Sequence, residues 1–253
     1  MTEQDPTQRF TNRVENYVRY RPTYPAAAID CLRDECGLGP GAAVADVGSG
    51  TGILTELLLQ RGATVYGVEP NGAMRGAAEA GLSGYPGFVS VDGRAEATTL
   101  PAASVDLITA GQAFHWFEPV GTRTEFQRIL RPGGWVGLIW NARDEQSGGF
   151  AVDYEALLNE YARGYRAVRR DAHFGKIDIL FPDGYERRVF RHERRLDYES
   201  VHGGLLSSSY APLPGDPNYE PMIARLRAIF DDHQRQGFVN LAYETHLYLG
   251  RLE

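Results

Sequence analysis

The 253-residue chain reads as an α/β protein with a doubly wound, mostly parallel sheet and an inserted helical cap. Two observations predict this. Apolar runs alternate with amphipathic stretches through the first half, the rhythm of βαβ units. The first of these runs, Val44 to Val47, breaks at once into three glycines spaced two apart, Gly48, Gly50 and Gly52. Such a turn lets backbone press against a ligand, because no Cβ intervenes and positive φ is open to glycine.

The strands follow in order: Ala43 to Val47, Thr64 to Val68, Gly87 to Val91, Val105 to Ala110 and Trp135 to Trp140. Helical stretches lie between them at Gly52 to Gln60, Gly72 to Ala80 and Pro119 to Leu130. The run Arg131-Pro132-Gly133-Gly134 stops the last of these. In such a sheet, ligands belong in the crevice at the carboxyl ends of the strands. Beyond Asn141 the pattern changes. A helical stretch from Gly149 to about Arg170 precedes an alternating strand, Tyr185 to Leu196. A second helical region, Tyr219 to Gln236, precedes a closing strand, Phe238 to Leu249. We take residues 1–253 as one domain, with insertions 149–181 and 197–236 forming a substrate-binding cap. The stretch Ser207 to Pro221, rich in proline and glycine, reads as a loop within it.

Composition narrows the function. A net charge of −7 argues against a general nucleic-acid binder, and no run approaches the ~18 apolar residues of a membrane span. The N-terminus is polar, without an apolar signal core, so the cytoplasm is the expected compartment. Cys31 and Cys36 share one predicted helix and suit neither a disulfide framework nor a metal site. Lys176 is the one lysine among 26 basic residues. The arginines from Arg187 to Arg195 could hold an anion, but interleaved acids favour a charged edge strand.

The cofactor follows from the third glycine. A dinucleotide fingerprint, G-x-G-x-x-G, requires glycine at position 53, and the chain has Ile53. Glu69 closes the second strand, 69 − 46 = 23 positions after Asp46, near the spacing at which a carboxylate takes a ribose hydroxyl pair. Further segments are Arg21-Pro22-Thr23-Tyr24-Pro25, DGRAE from Asp92, QAFHWFE from Gln112 and RILRPGGW from Arg128. With D-x-G-x-G-x-G they resemble class I S-adenosylmethionine (SAM) methyltransferases of the methyltransferase type 11 class, in particular trans-aconitate-type small-molecule enzymes. The resemblance covers most of the chain, including SSSYAP from Ser207 and the terminal YETHLYLGR from Tyr243.

That resemblance implies a Rossmann-like fold, SAM as cofactor and S-adenosylhomocysteine (SAH) as product. Gly48, Ser49, Gly50 and Gly52 would line the methionine portion, with Asp46 beneath. Glu69 would take the ribose hydroxyls, and Pro70, Asn71 and Met74 would pack the adenine. Arg94 stands where many relatives have the aspartate that receives the adenine amino group. Ala95 could donate its backbone N–H, with Glu96 or Asp92 as substitute carboxylate. Gln112 would hold the methionine end. His115 would act as general base or positioner, and Tyr20 and Trp116 would contact the substrate. No metal site is expected. Methyl transfer to a small-molecule acceptor, at a carboxylate or other oxygen more than nitrogen or carbon, is the leading function. The alternatives are a SAM-binding protein that does not methylate a small molecule and a nicotinamide-dependent oxidoreductase.

Overall fold

The computed structural model describes residues 13–145, 148–162, 165 and 174–252. The polar N-terminal stretch MTEQDPTQRF and most of residues 163–173 lie outside the described residues.

Five parallel strands form the centre of the molecule. They are β1 (Ala43–Val47), β2 (Thr64–Val68), β3 (Phe88–Val91), β4 (Val105–Gly111) and β5 (Leu130–Arg143). Two antiparallel strands, β6 (Glu186–Leu196) and β7 (Val239–Gly250), complete a seven-stranded sheet in the order β3-β2-β1-β4-β5-β7-β6. The order reverses between β1 and β4, which is where an open α/β sheet leaves its ligand crevice.

Helices α1 (Val14–Tyr20), α2 (Ala26–Cys36), α3 (Ile53–Leu59), α4 (Gly72–Gly81) and α5 (Pro119–Ile129) occupy the first half. Their ends are set chemically. The Asn71 side chain accepts from the N–H groups of Ala73 and Met74 to start α4, and Glu118 does the same for Val120 and Gly121 ahead of Pro119 in α5. On one face of the sheet, Val44, Val65, Leu107 and Ile139 pack against Ile29, Leu32, Leu54 and Leu58. On the other, Ala45, Ile108, Val136 and Leu138 meet Phe126 and Ile129.

The second half adds α6 (Phe150–Tyr161), α7 (Phe174–Leu180), α8 (Tyr198–Leu206) and α9 (Tyr219–His233). Helices α6, α8 and α9 share a third core, where Leu158, Leu205, Leu226 and Phe230 meet Val239 and Leu241 of β7. Helix α7 does not join them, although it falls within the first insertion. Its Ile177 and Leu180 pack into the sheet's own core, beside α5.

Strand β5 runs three residues past its expected end, because Asn141, Ala142 and Arg143 pair with Thr245, Glu244 and Tyr243 of β7. The apolar pattern that defined the strand stops at Trp140. The pairing partner that extends it comes from the far end of the chain. Strand β6 stands at the sheet edge, so its arginines occupy the edge position expected of them, with Arg188 paired to Glu35 and Arg191 to Glu244. Cys36 is buried and Cys31 half-buried, and both are free thiols.

Candidate cofactor and acceptor sites

The glycine turn leaves β1 with Gly48, Gly50 and Gly52 at φ of +68°, +59° and +89°. Its first N–H groups, those of Gly48 and Ser49, both donate to the Val68 carbonyl at the end of β2, at 2.8 and 3.2 Å. Gly48 is required twice over. Besides its positive φ, a Cβ there would come within 2.6 Å of the Ala113 Cβ.

Glu69 binds the turn directly. Its Oε2 accepts from the Gly50 N–H at 2.9 Å and its Oε1 from the Asn71 N–H at 2.8 Å. Burial pushes its pKa up, against the two backbone N–H groups that pull it down. A carboxylate has about four lone-pair sites, so two remain after these bonds. Those two can receive a ribose hydroxyl pair. Met74 is buried with its methyl facing Gly50, and Pro70 is half-buried beside Asn71.

Asp46 is buried beneath the turn, accepting from the hydroxyls of Thr55 at 2.6 Å and Thr109 at 2.9 Å. Burial raises its pKa to about 6 despite those bonds. It lines a narrow recess with Gly48, Ser49 and Gln112, whose outer wall is Tyr17, Arg21 and Pro22.

Ala95 sits in a tight turn closed by reciprocal bonds between Arg94 and Ala97, with its side chain in the core. Neither substitute carboxylate faces it idle. Asp92 pairs with Arg75 at 2.9 Å, and Glu96 accepts the Glu118 N–H at 2.8 Å.

Gln112 carries positive φ, +54°, a strained conformation outside glycine. Its side chain explains the tolerance: Oε1 accepts from Asn141 N–H at 3.0 Å while Nε2 donates to the Asn141 carbonyl at 3.4 Å. The amide thus continues the β4–β5 ladder where backbone pairing ends. Next comes the one-turn 3-10 helix Phe114–Trp116. Its His115 and Trp116 rings lie 4.6 Å apart, and Lys176 of α7 donates to the His115 and Phe117 carbonyls, each at 3.0 Å.

Gln112, His115 and Trp116 open onto a cleft of about 530 Å³, roofed by α6, α8 and the Ser208–Tyr210 loop. This size suits a small organic ligand. Tyr20 also lines the cleft, but its ring lies on Gly203 of α8 and its hydroxyl donates to Glu199 at 2.6 Å. The residue therefore docks α1 onto α8. Sequence reading missed Arg143 and Tyr210, which line the same cleft. Arg143 donates to the Tyr165 hydroxyl at 2.7 Å and lies 3.5 Å from Glu155. Burial alone would raise the Tyr210 pKa, but the Arg143 and Arg21 guanidiniums outweigh it and hold the phenol below its ordinary value. The available signal was an arginine two places beyond Asn141 on a strand that outlasts its apolar run.

Among the described residues, no cluster of three or more His, Cys, Asp or Glu could hold a metal ion, and no helix is long and apolar enough to cross a membrane.

Comparison with known proteins fits this geometry. A methyltransferase domain model matches residues 45–138, which hold the glycine turn, Glu69 and the His115 loop. An uncharacterised methyltransferase of Mycobacterium tuberculosis is 42% identical over 149 residues, 58% of this chain and 58% of that protein. An uncharacterised methyltransferase-like protein of Schizosaccharomyces pombe is 31% identical over 100% of this chain and 99% of its own length. Among solved structures, a protein of Anaeromyxobacter dehalogenans assigned to the type II methyltransferases superposes with a TM-score of 0.68 at 23% identity, covering 92% of this chain and 98% of that one. A SAM-dependent methyltransferase of Aquifex aeolicus gives 0.51 at 20% identity, over 74% and 92%. The structural likenesses speak to the fold, which is that of class I methyltransferases, and the full-length relative to descent: the chain belongs to the methyltransferase family.

Proposed function

We propose that the protein transfers the methyl group of SAM to a small-molecule acceptor, at oxygen in preference to nitrogen or carbon. The observation that carries this is the placement of a positive-φ glycine turn at the sheet's switch point, bound by a Glu69 carboxylate with acceptor sites to spare, and opening at Gln112 onto a ligand-sized cleft.

The residues present fit SAM. Glu69 would hold the ribose hydroxyls, Met74 and Pro70 would flank the adenine, and Gly48, Ser49, Gly50, Gly52 and Gln112 would hold the methionine end. SAM, when bound, supplies a methyl group on a positively charged sulfur. The recess measures about 30 Å³, with Tyr17 of α1 and the following Arg21 and Pro22 on its outer side.

The protein's task is then alignment, which can contribute roughly 7 to 11 kcal/mol. Gln112, locked to Asn141, fixes the border between the two sites. His115 stands on the acceptor side, where its imidazole can take the proton of a hydroxyl or orient the acceptor. Exclusion of water falls to α1 and the cap. The acidic balance supports a small substrate over a nucleic acid. A cytoplasmic location goes with this reading, and the Cys31 and Cys36 thiols, pushed up to about 12 chiefly by burial, stay protonated and unreactive.

The test is thermal unfolding with SAM, SAH and NAD, followed by assay of SAH release across acceptors. A ligand at 100 times its dissociation constant adds about 2.7 kcal/mol. SAM and SAH should each raise the melting temperature by several degrees. Stabilisation by NAD alone would overturn the cofactor assignment. SAM binding without SAH release from any acceptor would favour a non-methylating SAM protein.

A further inference from the structure

We infer that the acceptor is an aromatic hydroxy acid whose carboxylate is seated on Arg143 and Arg21 and whose hydroxyl reaches the methyl donor beside Gln112 and His115. The inference rests on the methyl-transfer reading above and names the class of acceptor for that site.

The walls come first. Trp116, Trp140, Tyr154, Tyr165, Tyr210 and Tyr243 all line the cleft, from the 3-10 turn, β5, α6, β7 and two further segments. Rings from that many directions favour a planar guest, since aromatic pairs add to ordinary burial.

Two guanidiniums lie among these rings. The Nε atoms of Arg143 and Arg21 are buried and have no hydrogen-bond partner among the described residues. A buried donor without a partner is costly and calls for an explanation. Arg143 has contacts elsewhere on its fork, with the Tyr165 hydroxyl and with Glu155 at 3.5 Å, but Glu155 also accepts that same hydroxyl at 2.8 Å. Arg21 donates to the Ser207 carbonyl at 3.4 Å and lies over the Tyr17 ring. Both guanidiniums act on Tyr210, whose hydroxyl would be a third donor to a carboxylate. The rest of the lining is of mixed sign: Glu244 is taken by Arg191, Arg194 adds a further cation, and Asp144 and Glu145 bring two carboxylates at the end of β5.

Spacing then sets the length of the guest. Asn141 and Arg143 are two apart on β5 and share a face, about 7 Å along the strand. Asn141 is the residue that Gln112 grips. Along the strand, the Arg143 position thus lies about one benzene ring's length from the residue at the border with the donor. A carboxylate gripped by a guanidinium fork has its lone pairs engaged, so the nucleophile is the group at the other end. There the hydroxyl oxygen's electron pair forms the new C–O bond, the methyl–sulfur bond breaks with its pair left on sulfur, and the hydroxyl proton passes to His115.

The test titrates the SAH-bound protein calorimetrically with 4-hydroxybenzoate, 3-hydroxybenzoate, the uncharged 4-hydroxybenzamide and citrate. At least one hydroxybenzoate should bind, about tenfold or more tighter than the amide and than citrate, as charge-assisted bonds predict. Arg143→Leu should abolish the preference for acid over amide while leaving SAH affinity in place, and Tyr210→Phe should reduce it. Equal binding of acid and amide, tighter binding of citrate, or no binding of any hydroxybenzoate to the SAH complex would overturn the inference. So would an unchanged preference in Arg143→Leu, or in Tyr210→Phe where that variant alone folds. Should Arg143→Leu fail to fold, the wild-type comparison and Tyr210→Phe still decide. Failure of the protein to bind SAH would instead sink the methyl-transfer reading itself.

Discussion

The ammonium group of Lys176 donates to the main-chain carbonyl of His115 at 3.0 Å, and to that of Phe117 at the same distance. The chain's single lysine thus holds the one turn that carries both candidate acceptor-side rings, from a helix 59 to 61 residues away.

Lys176→Met should cost about 2 kcal/mol, the scale of hydrogen bonds to a charged group, and leave two carbonyls short of a donor. Chemical denaturation measures the loss. Lys176→Arg should recover part of it, and neither change should alter SAH affinity by much, because the turn borders the acceptor cleft. Equal stability of wild type and Lys176→Met would mean that the turn is held by its own packing.

Glu69→Ala should weaken SAH binding at least tenfold, read by calorimetry. It removes the ribose acceptor and also releases the Gly50 and Asn71 N–H groups that shape the turn. Glu69→Gln keeps one acceptor oxygen and should fall between. Wild-type affinity in the alanine variant would remove Glu69 from the cofactor site.

Asp46 makes a pH prediction. Its folded pKa of about 6 lies above the unfolded value of about 3.9. The native state therefore binds a proton that the unfolded chain has lost, and stability falls as pH rises from about 4 to 6, by on the order of 3 kcal/mol from this group. Above pH 6 the slope should vanish. The stability difference between wild type and Asp46→Asn, followed by urea unfolding, should show this slope, and a difference independent of pH would contradict the raised pKa.

Gly203→Ala probes the docking of α1 on α8. A Cβ there collides with the Tyr20 ring, an overpacking worth about 1–3 kcal/mol. The variant should melt at lower temperature and, if α1 closes the cofactor recess, bind SAH with a faster association rate in stopped-flow. Slower or unchanged association would show that entry does not pass α1.

His115→Ala, assayed with a hydroxybenzoate acceptor, separates two roles. Loss of the rate together with loss of the acidic limb of the pH profile marks a base. A reduced rate on an unchanged profile marks a positioner.

Much of the sheet is legible because strands buried on both faces must be runs of apolar residues. Val44 to Val47 and Val105 to Ala110 show this directly. So are the positions set by neighbours in sequence: the glycine turn after β1, Glu69 at the end of β2, and the Gln112 to Trp116 segment after β4. Elsewhere tertiary pairing decides. Arg143 becomes part of a strand only because Tyr243 arrives opposite it, a hundred residues later. Tyr210 comes from a loop whose sequence shows only turn chemistry, and the reach of its phenol toward Arg143 depends on how the cap sits. Tyr20 illustrates the converse, since its position in the chain is readable but its bond to Glu199 of α8 is not.

The three hydrophobic cores have no residue in common. Two of them pack the faces of the sheet, one of these also holding Trp140 and Trp116 of the cleft wall, and the third joins α6, α8 and α9 to β7. Substitutions that reshape the cleft from α6 or α8 need not disturb the packing under the glycine turn. One wall of the cleft can thus vary while the packing that sets the positive-φ turn stays as it is.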